Sequence, residues 1–311
     1  MIRSFLLLTL AILTVCCTVV RAQGDVSVEV PASAFVSAAR DSSTAVTIVR
    51  KPPLRWYSIF ENIPKAWGRW WNLTMRAEKL DDWLVIGGLS AALVVTDDAT
   101  YSPSERFYRS SPDARKWSDF FSDFGDGRSQ FALAGAFGAY GLICSDEKAL
   151  RTGTQIVEVV LSSGGLVQVL KHVTGRESPF VRSTPTGVWK IFPNQIDYHR
   201  YVPYFDAFPS GHICTSIGTV IVVAENYPDV KWIRPLGYTL TALVGIGMAN
   251  NGIHWYSDYP LGLFFGYYFG MIAAHPEGLP EEQIGTDGTM SLRVTPLLLP
   301  DGGGVSLSVR F

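Results

Sequence analysis

The sequence predicts an all-α protein: a helical bundle of about six core helices, followed by a short C-terminal β-hairpin. Three observations carry this. Apolar segments recur at Trp83–Val95, Phe131–Cys144, Ile156–Leu170, Ile213–Ala224, Leu236–Met248 and Tyr259–Ala274. Each is too long for an ordinary strand, and cap and turn residues separate one from the next. The text then changes period: Met290–Pro296 and Val305–Phe311 alternate around Pro300-Asp301-Gly302-Gly303-Gly304, the pattern of a hairpin with a Gly-rich turn.

In chain order, Met1-Ile2-Arg3 supplies a positive charge ahead of the apolar run Phe5–Val20, and Val20-Arg21-Ala22 offers a signal-peptidase site. Residues 1–22 read as a signal peptide, with Gln23 as the new N-terminus. The protein is therefore expected to be exported, and to be periplasmic or membrane-associated. Residues 23–80 form a lead-in. In its second half Trp56, Trp67, Trp70 and Trp71, continued by Trp83, are interspersed with Arg55, Lys65, Arg69, Arg76 and Lys79. That mixture suits an interfacial amphipathic helix, with indoles at headgroup depth, and suits equally a helix packing its Trp face onto the domain. Residues 81–276 form the main domain and 277–311 the tail with the hairpin.

Charged residues make up 17% of the chain, below the ~25% usual in soluble domains, and aromatics reach 13%. Together they point to membrane association or a large apolar core. Most of the apolar segments hold about 12–16 residues, short of the ~20 that span a bilayer. Frequent glycines (Gly135, Gly138, Gly141, Gly164, Gly165, Gly245 and Gly247) are expected to let helices approach closely. With a net charge of −2 and no basic run, nothing points to nucleic acid. Cys144 and Cys214 come after the signal segment, in apolar stretches where buried thiols are expected. Glu158 reads as an exposed or capped carboxylate, and Asp123 and Asp126 around Gly125 as a turn and helix cap.

Three segments carry chemistry. Phe208-Pro209-Ser210-Gly211-His212 opens an apolar helix. Ser210 is a candidate N-cap, and a helix N-terminus with free N–H groups attracts an anion. Gly211 leaves room for a phosphate oxygen, and His212 stands beside it as a proton donor. In Gly252-Ile253-His254-Trp255-Tyr256-Ser257-Asp258 the four-residue spacing lets Asp258 fix one imidazole nitrogen of His254 and leave the other free as a nucleophile. Lys171-His172-Val173-Thr174-Gly175-Arg176-Glu177-Ser178-Pro179 closes another apolar helix with cations, which the helix dipole favours in any case.

Taken in this order, the set resembles the type 2 phosphatidic acid phosphatase (PAP2) superfamily, whose pattern is Lys-x6-Arg-Pro, Pro-Ser-Gly-His and Ser-Arg-x5-His-x3-Asp. The resemblance covers roughly residues 80–275. It implies that His254 attacks phosphorus to form a phosphohistidine, that Asp258 orients it, and that His212 protonates the leaving oxygen and then activates water. It also implies that Ser210, Gly211 and Lys171 hold phosphate oxygens. The reaction implied is metal-independent hydrolysis of a phosphate ester, a lipid phosphate or a small phosphomonoester, with no cofactor.

Two family positions depart. Ser178 stands where the first motif has arginine, and Gly247-Met248 stands where the third has Ser-Arg. Arg176, or more distantly Arg182, is the expected substitute phosphate ligand. A catalytically weakened relative that binds a phosphate group or a protein partner without turnover is the alternative.

Overall fold

The computed structural model describes residues 58–279, with the backbone of 291–299 and 302–310. The expected signal peptide at 1–22 and most of the lead-in lie outside the described residues. Contacts divide the chain into two units, Met1–Arg55 and Trp56–Phe311, and every described residue belongs to the second.

Among the described residues there are nine α-helices: α1 (Ser58–Thr74), α2 (Leu80–Ser110), α3 (Pro112–Gly125), α4 (Gly127–Cys144), α5 (Glu147–Thr174), α6 (Gln195–Arg200), α7 (Gly211–Asn226), α8 (Ile233–Asn250) and α9 (Tyr259–Ala274). All six apolar segments lie on helices, so the fold is the all-α bundle expected. The tail pairs β1 (Ser291–Leu299) with β2 (Gly302–Arg310) antiparallel, Leu299 opposite Gly302, leaving two residues between the strands.

The helix ends obey local chemistry. The Ser111 hydroxyl accepts from the Ala114 N–H, with Pro112 in the first turn of α3; Asp126 and Asp146 cap α4 and α5 in the same way. Gly175 ends α5 at φ +54°, and a Cβ there would stand 2.2 Å from the Lys190 carbonyl oxygen. The loop of the first motif therefore turns where only glycine fits.

Helix lengths depart from expectation. α2 has 31 residues and α5 has 28, because both run through polar residues that the apolar count excludes. Both are long and apolar enough to cross a membrane by length and composition. In the stretch Ala77–Ser110 only 11% of the most apolar window is buried, and Leu84, Leu89 and Val95 present their side chains outward. Ile143 is 82% exposed. Apolar area of this extent, left outside the core, marks an interaction surface.

The Trp-rich helix packs part of its Trp face onto the domain, one of the two readings its sequence allowed. Trp70 is buried, stacked at 6.0 Å on Phe269 and edge-on to Phe265 at 5.6 Å, with Trp83 against Phe264. Trp71 is 59% exposed. Cys214 is buried and Cys144 is exposed, so the expectation of two buried thiols holds only for Cys214; neither is in a disulfide. Glu158 is buried rather than exposed, and its carboxylate accepts a 2.7 Å hydrogen bond from the Asn62 amide, so of the exposed or capped carboxylate expected it is the capped form that the structure holds.

The closest helix contact is α7 against α9. A Cβ at Gly262 would come within 2.6 Å of the Ser210 carbonyl oxygen, at Gly266 within 2.2 Å of that of Cys214, and at Gly270 within 2.9 Å of that of Gly218. Glycine at every fourth position clears one stripe of α9, and α7, which carries Ser210 and His212, lies in it. By contrast, a Cβ at Gly135, Gly138 or Gly164 would meet nothing within 4 Å, so these three do not serve the close approach expected of them. Gly266→Ala is expected to destabilise by about 1–3 kcal/mol through overpacking. Gly135→Ala is expected to be neutral or stabilising, since Ala is the better helix former by up to ~1 kcal/mol. Thermal unfolding of the two variants side by side checks the contrast.

Candidate active site

Three loops meet where α5 ends and where α7 and α9 begin. Ser210 caps α7: its hydroxyl accepts from the Ile213 N–H at 3.4 Å, and its own N–H donates to the Asp258 carbonyl at 3.0 Å. The second and third motifs are thus tied backbone to backbone. The Gly211 position is open, since a Cβ there would touch only Val167, at 3.5 Å. The His212 and His254 rings face each other edge to face, 5.7 Å between centroids. His212 fits because Gly125 has no side chain; a Cβ there would lie 2.9 Å from the His212 Cβ and 2.6 Å from Val244.

His254 is buried, with Nδ1 3.4 Å from an Asp258 carboxylate oxygen; neither ring nitrogen has a hydrogen-bond partner of good geometry, although the Ala207 backbone also acts on the ring. Burial lowers its pKa to about 3, an effect reinforced by Lys171. Burial also lowers the pKa of His212, and nearby His254 and Lys171 act in the same direction. Both imidazoles are therefore neutral at neutral pH. Asp258 accepts from the Trp255 N–H at 2.8 Å and from the Arg176 guanidinium at 2.5 Å. Burial raises its pKa to about 6, against the opposing pull of Arg176, so it is mostly ionised at pH 7.

The Arg176 side chain is not where a phosphate ligand is expected. It is fully buried. Nη1 donates to the Ser257 hydroxyl at 2.7 Å as well as to Asp258, and Nη2 to Asp97 at 2.5 Å and to the Thr186 carbonyl at 3.0 Å. Trp189 and Trp255 cover the guanidinium faces, 4.7 and 5.2 Å from their ring centroids. Ser257 in turn donates to Asp97 at 2.6 Å. Arg182 lies over the Tyr101 ring at 4.6 Å and pairs with Asp98 at 3.6 Å. Lys171, largely buried, pairs with Asp206 at 3.2 Å.

The replaced motif positions have packing roles. Ser178 is buried and donates its N–H to the Pro203 carbonyl at 2.8 Å. Met248 is fully buried against Ile213 and Val244. A Cβ at Gly247 would come within 2.6 Å of the Ser118 carbonyl oxygen, so α3 lies against α8 at a distance that excludes serine. Asn250 and Asn251 extend the same contact, donating to the Ser118 and Ser122 hydroxyls at 3.2 and 2.9 Å. A cavity of about 320 Å³ between Tyr101, Arg109, Phe180 and Asn251 is lined by neither imidazole.

The family model described as PAP2 superfamily matches residues 152–276. The match spans 125 of the 311 residues. The match contains Lys171, Arg176, Ser210, Gly211, His212, His254 and Asp258, whereas Asp97, on α2, lies outside it. A transmembrane PAP2 type phosphatidylglycerolphosphate phosphatase from Bacillus subtilis has 17% sequence identity, covers 64% of this chain and 94% of its own, and gives a TM-score of 0.47. A search of curated proteins gives no match.

Three polar residues in and around the matched region do not stand out in the sequence. Asp97 interrupts an apolar helix, where it reads as the flank of a segment rather than an inward-facing charge. Asp206, four residues before Ser210, and Ser257, beside Asp258, sit in motif loops among residues with more obvious chemistry. A charge among apolar residues is the signal that marks Asp206, in Val202-Pro203-Tyr204-Phe205-Asp206-Ala207-Phe208; Asp97, beside Asp98 at the end of its segment, carries no such signal.

Proposed function

We propose that the chain is a metal-independent phosphatase that cleaves a phosphate ester through a phosphohistidine on His254. The observation that carries this is the pair of facing imidazoles, one of them buried, neutral and without a hydrogen-bond partner of good geometry. A buried, perturbed imidazole of this kind is what a functional site requires of its nucleophile. His254 attacks phosphorus with the nitrogen not facing Asp258, and the carboxylate stabilises the cation that develops on the ring. The bound phosphate dianion favours the protonated form of His212, across the gap; His212 takes up a proton from solvent as substrate binds, gives it to the leaving oxygen and takes one back from the incoming water. Ser210, the Gly211 N–H and Lys171 hold the phosphoryl oxygens, and Arg176 acts as a positioning residue that holds Asp258 rather than as a phosphate ligand.

The surface bears on the substrate. Outward apolar side chains on α2, α4 and α5 and the exposed indole of Trp71 support membrane association and a lipid or lipid-linked phosphate ester. Export to the periplasmic side is part of the same reading and rests on residues 1–22. Phosphate release from phosphatidic acid, an isoprenyl pyrophosphate and a small aryl phosphate, measured with a chelator present, tests the proposal. Turnover is expected on at least one lipid substrate. A well-folded preparation silent on all three would favour a phosphate-binding protein without turnover.

The pH dependence has a definite sign. His254 reacts in its neutral form, and its pKa lies well below the ordinary histidine value of ~6.5. The acid limb of kcat/KM, which reports the free enzyme, is therefore expected from Asp258, whose pKa burial raises to about 6, and not from His254. A limb near pH 6.5 that persists in Asp258→Asn would contradict the buried, neutral nucleophile.

A further inference from the structure

The charges around the two imidazoles do not add up to an ordinary phosphate cradle. Arg176 faces two carboxylates, Asp97 and Asp258, at 2.5 Å each, so both its terminal nitrogens are taken up. The Lys171 ammonium is matched by Asp206 at 3.2 Å. Positions 178 and 248 hold a serine and a methionine, both buried. Lys171, Arg176, Asp206 and Asp126 are the fixed charges that act on the imidazoles besides Asp258; Asp126 is paired with Arg128 at 3.0 Å, so the unmatched negative charge is that of Asp97 and Asp258 against Arg176 alone. With both histidines neutral, a dianionic phosphate monoester would enter a site that already carries more negative than positive charge. Such an arrangement repels a free dianion at short range.

Asp206 is held in place to take part. Its backbone bridges to Arg176, and the Ala207 N–H donates to the Arg176 carbonyl at 3.0 Å. Its carboxylate is a quarter exposed, with one oxygen directed to Lys171. A substrate that brings its own cation resolves the imbalance: its phosphate takes over the Lys171 ammonium while its cation takes over the Asp206 carboxylate. We infer that Asp206 is a specificity-determining residue, and that the site prefers phosphate esters carrying an ammonium group close to phosphorus over those without one. This rests on the phosphatase reading and deepens it.

The test compares the purified full chain and Asp206→Asn on two esters of similar size, O-phosphorylethanolamine and propyl phosphate. The amide is isosteric and can still accept from Lys171. The unaltered chain is expected to favour the ammonium ester about tenfold in kcat/KM, the scale of one charge-assisted hydrogen bond. Asp206→Asn is expected to bring the ratio close to one, with the rate on propyl phosphate rising. An unchanged ratio, a preference of the unaltered chain for propyl phosphate, or equal losses on both esters would overturn the inference. If neither ester is turned over, the phosphatase reading suffers, and calorimetric binding of the same esters decides the role of Asp206. Preferential binding of the ammonium ester that is lost in Asp206→Asn supports it; equal or absent binding overturns it.

Discussion

Replacing His254 by alanine is expected to lower the rate of phosphate release by ~10³-fold or more, as removal of a covalent nucleophile does. Little stability should be lost in exchange. Neither ring nitrogen makes a hydrogen bond of good geometry, so the substitution removes a desolvated polar group along with its packing. Loss of function with the fold retained is the signature of a group kept for chemistry. Rate measurements paired with thermal unfolding check both halves. A variant that keeps a tenth of the rate, or that unfolds outright, would mean that His254 is a structural residue.

Arg176→Ala is expected to produce the opposite balance. Asp97 and Asp258 are both fully buried, and Arg176 is the cation between them. Removing it leaves two like charges facing each other across a void, and breaking a buried pair of this kind costs ~3–5 kcal/mol. A large fall in thermal unfolding temperature should accompany the loss of activity. Arg176→Lys should rescue little, because an ammonium cannot bond two carboxylates, a hydroxyl and a carbonyl in one plane. Were Arg176 instead a phosphate ligand, alanine would raise KM with little change in unfolding temperature.

Much of the fold is legible in the sequence. The six apolar segments are all helices, because a run of that length flanked by cap residues has few other solutions. The motif residues fall in three loops that the packing of α5, α7 and α9 brings together. α3 is not foreseeable in the same way: Trp117, Phe120, Phe121 and Phe124 alternate with charges, so its apolar face is short. Its docking depends on Gly247, whose reason lies in a helix far away in sequence. The role of Arg176 is hidden for the same physical reason. A cation one residue after a helix-ending glycine can point to a ligand or to the interior, and the partner that decides it, Asp97, sits 79 residues upstream. Asp206 escapes notice because an aspartate in a loop is ordinarily solvated, and only the placement of Lys171 makes it part of the site.

The membrane question turns on a similar point. Counting apolar residues makes the segments look short, whereas the helices continue through Asp97 and Asp98 on α2 and through Glu158 on α5. Asp97 faces Arg176, and Glu158 is bonded to Asn62. Polar residues satisfied inside the bundle do not shorten its apolar outer surface.

The most direct test of His254 as the nucleophile is capture of the phosphoenzyme. The purified chain would be mixed with substrate, quenched within milliseconds in alkali, where phosphohistidine survives, and mapped by mass spectrometry. The mechanism predicts phosphate on His254, absent from His254→Ala and accumulating further when His212 is replaced and an aryl phosphate is the substrate, because that leaving group needs no proton while water lacks its base. Full turnover with no phosphate on His254 at any quench time, or phosphate on another residue, would contradict it.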